Sequence, residues 1–231
     1  MRWVPLEERV RTMPDSVREP FEILWQGITT LYYRWMVFKR LYRNARRTEL
    51  LDAHAPGFFG LVGQIWVESI VLGLARVLDD RQGVVSIRLV VSRMETAGPN
   101  EIVEDLRRRR DQLERLSKET VEAHRNKRIA HLDGEYHPRG GKRDLPPLKV
   151  ESLDRLFQGI TELMNVVGVG VGHGTTIYDA ATAESGEDSL IFALRKADRF
   201  DEIFPWPGQW DELAKGRFAD LDRPQQSDPA P

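Results

Sequence analysis

Apolar residues along positions 16–46 recur at steps of three and four, the spacing that places side chains on one face of an α-helix. Asp15 and Ser16 precede the repeat and offer side-chain oxygens that can cap a first helical turn. The pattern predicts one long helix over residues 16–46 with a single buried face. That face comprises Leu24, Ile28, Leu31, Trp35, Phe38 and Tyr42.

Residues 56–78 form a second segment, which is apolar almost all round rather than along one stripe. A helix of this kind is predicted to lie in the centre of a bundle. The most apolar part, Ile65 to Leu78, contains Glu68 and Arg76 and is shorter than the roughly 20 residues that cross a bilayer. We therefore expect a core helix and no membrane partner.

Four further helices follow from capping residues and apolar spacing. Strand patterns are weak throughout, so the predicted fold class is all-α, a helical bundle of about five to six helices. Residues 1–205 are predicted to form a single domain and 206–231 a C-terminal extension with a disordered end. The four helices are a short one capped by Ser86 and ending before Gly98, one from Pro99-Asn100 to about His131, one from Leu153 to about Val167 capped by Ser152, and one from Asp188 or Ser189 to about Phe204.

Composition narrows the classes of protein and of site. The 231 residues include no cysteine, which excludes disulfides, thiolate catalysis and cysteine-ligated zinc. The first residues lack the apolar segment of a signal peptide, so a cytoplasmic location is expected. No cofactor is expected either. His131, Asp133 and His137 are a poor metal site because His137 lies in a Pro/Gly-rich loop and no fourth ligand has suitable spacing.

A basic run lies on the first predicted helix. Between Arg34 and Arg47 the sequence has six Lys or Arg residues and no acid, although the net charge of the whole chain is −2. Such a run fits a phosphate-bearing partner, and it equally fits a solvated helix face. By contrast, the arginines at 107–110 alternate with acids and are predicted to be ion-paired on the surface. Gly168, Gly170, Gly172 and Gly174 are predicted to serve packing or turns, because a phosphate-binding loop would also need a Lys and a Ser or Thr.

The fourth predicted helix places two histidines on its buried side. At about 100° per residue, the apolar stripe of this helix continues through His124 and His131. Arg125 lies six residues before His131, about 120° around the helix. His131 and Arg125 can therefore line opposite walls of a cleft, which two copies facing each other would make symmetric.

The segment RNKRIAH, Arg125 to His131, resembles the signature of HEPN domains, in which an Arg and a polar residue are followed by a His. More specifically, the chain resembles the abortive-infection U-type subfamily. That resemblance rests on LWQGITTLYYRWMVFKRLY, TELLDAHAPGFFGLVGQIWVESIVLGLARVLDD and the RNKRIAHLD ending, within residues 20–135.

The resemblance implies a helical homodimer whose motif helices meet in a cleft that cleaves RNA without a metal ion. Histidine suits general acid/base work near neutral pH, and an arginine fork suits the charge that develops on phosphoryl oxygens. The resemblance implies His131 as the acid/base and Arg125 as the phosphate stabiliser. It implies that Asn126 orients the phosphate or Arg125. Lys127, Arg128 and His124 are expected to contact substrate.

Alternatives remain at each position. His131 and His124 each suit a structural role in a packed helix, and Arg125 suits an ordinary ion pair with Glu122 or Asp133. Arg128, three residues from His131, would replace Arg125 if the latter pointed away. At the level of function, the alternatives are a ribonuclease toxin, a non-catalytic module that binds RNA, nucleotide or protein, and a helical subunit that depends on a separate nucleotidyltransferase. The toxin alternative includes a possible antitoxin partner.

Overall fold

The computed structural model of the chain describes residues 13–125, 148–171, 175–178 and 186–203. Within these ranges the protein is helical and has no strand, so the all-α prediction is confirmed. Its helices are α1 (Asp15–Tyr42), α2 (Ala45–His54), α3 (Pro56–Val77), α4 (Ile87–Ala97), α5 (Asn100–Ser117), α6 (Val150–Gly170) and α7 (Glu187–Ile203), with a π-helical segment, Lys118–Glu122, after α5.

The break between α1 and α2 corrects the prediction of one helix over residues 16–46. The helix ends at Tyr42, and Asn44 adopts an extended conformation in which its side chain accepts a hydrogen bond from the backbone N–H of Arg47. This is the geometry of a helix N-cap. A second helix therefore begins at Ala45 in a segment whose apolar spacing alone looks continuous with α1.

The core lies where α1, the C-terminal half of α3, α4, α5 and α6 pack together. Leu24, Ile28, Leu31 and Trp35 of the predicted stripe are buried, whereas Phe38 is only partly buried. The ring of Trp35 stacks on Phe157 of α6 at 5.6 Å between centroids. Burial of each such side chain stabilises the fold by roughly 1.5–3 kcal/mol, so this stripe accounts for much of the attachment of α1.

Helix α3 is not central along its whole length, which corrects the prediction from its composition. Its buried residues, Ile70, Val71, Leu74 and Val77, all lie in the C-terminal half. Phe58, Leu61 and Ile65 in the N-terminal half are 55–62% exposed. By length and composition α3 is the one described helix that could cross a membrane, a test that a core helix of a soluble protein also passes, although only 17% of its most apolar window is buried.

Helix α6 begins earlier and ends later than predicted. Lys149, not Ser152, occupies its N-cap position, and the helix continues past Val167 to Gly170. The extension depends on packing, because a Cβ at Gly170 would lie 2.2 Å from Ile102 of α5, and one at Gly159 would lie 2.8 Å from Leu113. The glycines thus allow α5 and α6 to approach closely, and the packing role predicted for Gly170 is confirmed. Residues 172–174 lie outside the described ranges.

The chain divides into two compact units, Met1–Ser185 and Gly186–Pro231. The first contains α1 to α6, together with His124, Arg125 and the cavities that they line. In the second, α7 begins beside the predicted capping residues, and Lys196 lies 4.3 Å over the ring of the exposed Phe192. The predicted division at residue 205 stays a prediction, since residues 204–231 are not described.

Candidate functional site

A change of helical geometry precedes the residues of the motif. Helix α5 becomes π-helical at Lys118–Glu122 before it reaches His124 and Arg125. A π turn holds one extra residue and rotates everything that follows it, and such turns often occur at functional sites. The prediction of a regular α-helix is therefore wrong here. The buried positions 117, 120, 121 and 124 are spaced by three and four residues, and this spacing does not distinguish an α-helix from a π-helical segment.

His124 points toward the protein body, as the stripe predicts, and is only 7% exposed. It lines a cavity of about 470 Å³. That cavity lies among α1, α2, α3, His124 and Leu148. The lining residues are Phe38, Tyr42, Thr48, Asp52, Phe59, Gly60, Gly63, Gln64, Val67, Glu68, Val71, His124 and Leu148.

Arg125 is partly exposed and lines a different, smaller cleft of about 50 Å³ where the π segment packs against the end of α3. Four acids border this cleft, Asp79, Asp80, Glu114 and Glu122, together with Lys118. Glu122 was one of the two partners predicted for Arg125 in an ordinary ion pair. The described surroundings of Arg125 are therefore acidic rather than basic.

Asp79 is a buried carboxylate that the sequence patterns did not single out as functional. Its side chain is 5% exposed and binds Arg81 through both oxygens, with Nε of Arg81 at 3.0 and 3.1 Å. The side-chain hydrogen bond from Arg81 lowers the pKa of Asp79, and the nearby charge of Arg125 lowers it further. The only signal in the sequence was an acid directly after an apolar helix, which reads as a helix end.

Much of the basic run of α1 is occupied by partners within the fold. Lys39 binds Oδ1 of Asp154 at 2.7 Å, and Arg43 binds Glu151 at 2.7 Å. Nε1 of the buried Trp35 also donates to Asp154, at 2.8 Å. These contacts attach α1 to α6, so Lys39 and Arg43 are structural ion-pair partners rather than a free phosphate-binding surface.

The arginines at 107–110 are ion-paired, as predicted. Arg108 and Arg109 both bind Asp105 of the same helix. Pairs also cross between helices, from Arg107 to Glu95 of α4 and from Arg109 to Glu162 of α6, at 2.8 and 3.0 Å. Exposed ion pairs contribute about 1 kcal/mol or less each to the free energy of unfolding. These pairs therefore help to orient the helices and add little to the stability of the fold.

The remaining predicted site residues, Asn126, Lys127, Arg128 and His131, lie outside the described ranges. Their roles, and that of His124 as a substrate contact, stay predictions. Among the described residues no group of three metal-binding side chains occurs, and the rejected trio of His131, Asp133 and His137 lies outside them as well.

Comparison with known proteins links this geometry to a family. Residues 15–192 match the family model HEPN_AbiU2, described as AbiU2. The matched region begins at the start of α1, ends at Phe192 within α7 and includes all of Arg125–His131. No curated protein and no solved structure matches the chain.

Proposed function

Because the chain belongs to the AbiU2 family of HEPN proteins, an abortive-infection family, we propose that it is a metal-independent endoribonuclease that acts as a homodimer. The observation that carries the proposal is that the family match spans the whole Arg125–His131 motif. As an antiphage effector or toxin in the cytoplasm, it would act on RNA. An antitoxin or a nucleotidyltransferase is a further proposed partner.

The proposed chemistry is an internal transfer at phosphorus. A base removes the proton of the 2′-OH, the 2′ oxygen attacks the adjacent phosphorus, and the bond from phosphorus to the 5′ oxygen breaks. An acid then supplies a proton to the leaving 5′ oxygen. The products carry a 2′,3′-cyclic phosphate and a 5′-OH. His131 is proposed as the acid/base, because an imidazole exchanges protons near neutral pH.

Arg125 is proposed to stabilise the negative charge that spreads over the phosphoryl oxygens, with Asn126 orienting the phosphate or the guanidinium. Lys127 and Arg128 would hold neighbouring phosphates. Asp79 then has a supporting part, since its buried carboxylate lies close enough to Arg125 for their charges to interact. It would keep the guanidinium in place without touching the substrate.

Dimer formation is proposed from the family. The exposed stripe of Phe58, Leu61 and Ile65 on α3 supports it, because a soluble protein seldom leaves adjacent large apolar side chains in water. In light scattering, the wild type is expected at twice the chain mass and Leu61→Asp at one chain mass. A wild type that is monomeric at all concentrations would contradict the dimer.

A non-catalytic binding module is the second candidate, and one observation favours it. The described cleft around Arg125 holds four acids against Lys118 and Arg125 itself, and excess negative charge repels a phosphate. In such a module Arg125 would serve an ion-pair network, and the protein would not cleave RNA.

RNA cleavage in the presence of EDTA separates the two candidates. The ribonuclease predicts that the wild type cleaves single-stranded RNA with chelator present, and that His131→Ala and Arg125→Ala lose roughly 10²-fold or more of the rate. His137→Ala is the matched control, a histidine outside the motif, and should cleave normally. Cleavage that persists unchanged in His131→Ala would remove the nuclease proposal in favour of a contaminating enzyme.

A further inference from the structure

The cavity of about 470 Å³ beside His124 falls within the usual size range of small-molecule sites. Its apolar walls include three aromatic rings, those of Phe38, Tyr42 and Phe59. Arg125 and Asp79, the described residues of the proposed chemistry, do not line it. The cavity nevertheless borders the motif helix, because His124 immediately precedes Arg125.

The ring of Tyr42 is held in a fixed position, so one wall of the cavity is formed before any ligand binds. It stacks on Phe38 at 5.2 Å between centroids, and its hydroxyl donates to the carbonyl oxygen of Phe59 at 2.9 Å. On α3, Gly63 leaves room for the ring, since a Cβ there would lie 3.1 Å from it. A flat apolar surface of this kind suits stacking of a planar ligand.

The polar side of the cavity includes two carboxylates, beside Thr48, Gln64 and His124. Asp52 of α2 and Glu68 of α3 both line it, and no Lys or Arg is among its described lining residues. Asp52 has no ion pair within the described part of the chain, whereas Glu68 accepts a hydrogen bond from Gln64 at 2.9 Å. Burial raises the pKa of the Tyr42 phenol, and the nearby charge of Asp52 raises it further.

We propose that this cavity binds an unstacked nucleobase bearing an amino group, and thereby gives the protein a preference among RNA bases. The rings would stack on the base, and the carboxylates would accept hydrogen bonds from its amino and imino N–H groups. Guanine, with two such groups on one edge, suits the cavity best. Uracil suits it least, because its carbonyl oxygens would face carboxylates. The inference rests on the proposed function for RNA as the source of the base.

The negative charges of Asp52 and Glu68 disfavour a phosphate in the cavity. The sugar–phosphate backbone of a bound nucleotide would therefore stay outside it.

Equilibrium dialysis of the full chain against guanosine, adenosine, cytidine and uridine, with EDTA present, tests the inference. Guanosine is expected to bind saturably and about tenfold or more tightly than uridine. Asp52→Asn and Glu68→Gln should each reduce that preference severalfold. Glu49→Gln, an exposed acid of α2 that does not line the cavity, is the matched control and should bind like the wild type.

Two results would overturn the inference. One is equal binding, or no binding, of all four nucleosides at millimolar concentration by a folded protein. The other is displacement of bound guanosine by tetraethylammonium at a concentration below that at which guanosine half-saturates the site. The cavity would then be a site for organic cations.

Dialysis does not depend on cleavage, so the two proposals fail separately. Guanosine binding by a protein that leaves RNA intact would retain the base site and remove the nuclease. RNA cleavage without base preference and without nucleoside binding would do the reverse.

Discussion

His124 and Arg125 are consecutive in the chain, yet their side chains line two different cavities. His124 faces a largely apolar cavity among α1, α2 and α3, and Arg125 faces an acidic cleft at the end of α3. The π segment immediately before them sets this division, because it determines how far the helix has rotated when it reaches these two residues. The motif therefore begins where two distinct environments meet.

Asp79 should make the stability of the protein sensitive to acid. Folding lowers the pKa of this carboxyl group, chiefly through the hydrogen bond from Arg81. Its stabilising contribution is therefore fully present above the pKa that it has in the unfolded chain, and is lost as the pH falls through the lower folded value. Asp79→Asn should cost about 1–2 kcal/mol at pH 7 and show a smaller loss between pH 5 and pH 2 than the wild type.

Urea unfolding at a series of pH values measures this effect. Asp80→Asn is the control, because Asp80 is the exposed neighbour, and it should change the free energy of unfolding by less than about 0.5 kcal/mol. Parallel acid dependences for the wild type and Asp79→Asn would mean that the ion pair of Asp79 with Arg81 has no net effect on stability.

Asp154 should be worth more to the fold than its neighbour Glu151. Asp154 accepts hydrogen bonds from Lys39 and from the indole N–H of Trp35, a residue that is 1% exposed. Asp154→Ala leaves that N–H without its acceptor and should cost about 1–3 kcal/mol. Glu151→Ala removes only an exposed pair with Arg43 and should cost less than about 1 kcal/mol. Equal losses in urea unfolding would show that the indole finds another partner.

Two glycines within helices should respond oppositely to replacement by alanine. Gly27 of α1 has open space where a Cβ would be, so Gly27→Ala should stabilise the protein by about 0.5–1 kcal/mol. At Gly73 of α3 a Cβ would lie 2.5 Å from the side chain of Leu31, which is buried in the core. Gly73→Ala should therefore destabilise, by up to about 2 kcal/mol. A gain in melting temperature for both variants would mean that Leu31 moves aside freely.

The sequence predicted the fold class and most helices because burial repeats at helical spacing in α1, α4, α5 and α6. It failed where local hydrogen bonds decide, as at Asn44, whose capping side chain starts a new helix inside an apparently continuous pattern. It also failed for the N-terminal half of α3. An apolar composition indicates which side chains a helix could bury. Which of them are buried depends on the positions of the neighbouring helices, and these leave Phe58 and Leu61 exposed.

For the candidate site, the sequence predicted the inward direction of His124, which follows from periodicity. The cavity that His124 lines was not predictable in this way, because Asp52 and Glu68 lie on different helices and meet only through tertiary packing. The same holds for Asp79 and Arg125, which lie 46 positions apart in the chain and at one cleft in the structure. Periodicity gives the direction of a side chain and leaves its partners unspecified.

The chemical nature of the ends that the protein leaves on a defined single-stranded RNA in EDTA tests the ribonuclease proposal most directly. We expect fragments with 2′,3′-cyclic phosphate and 5′-OH ends from the wild type and from His137→Ala, and intact RNA from His131→Ala. Intact RNA from a folded, dimeric wild type, or fragments that require a divalent metal ion, would contradict it.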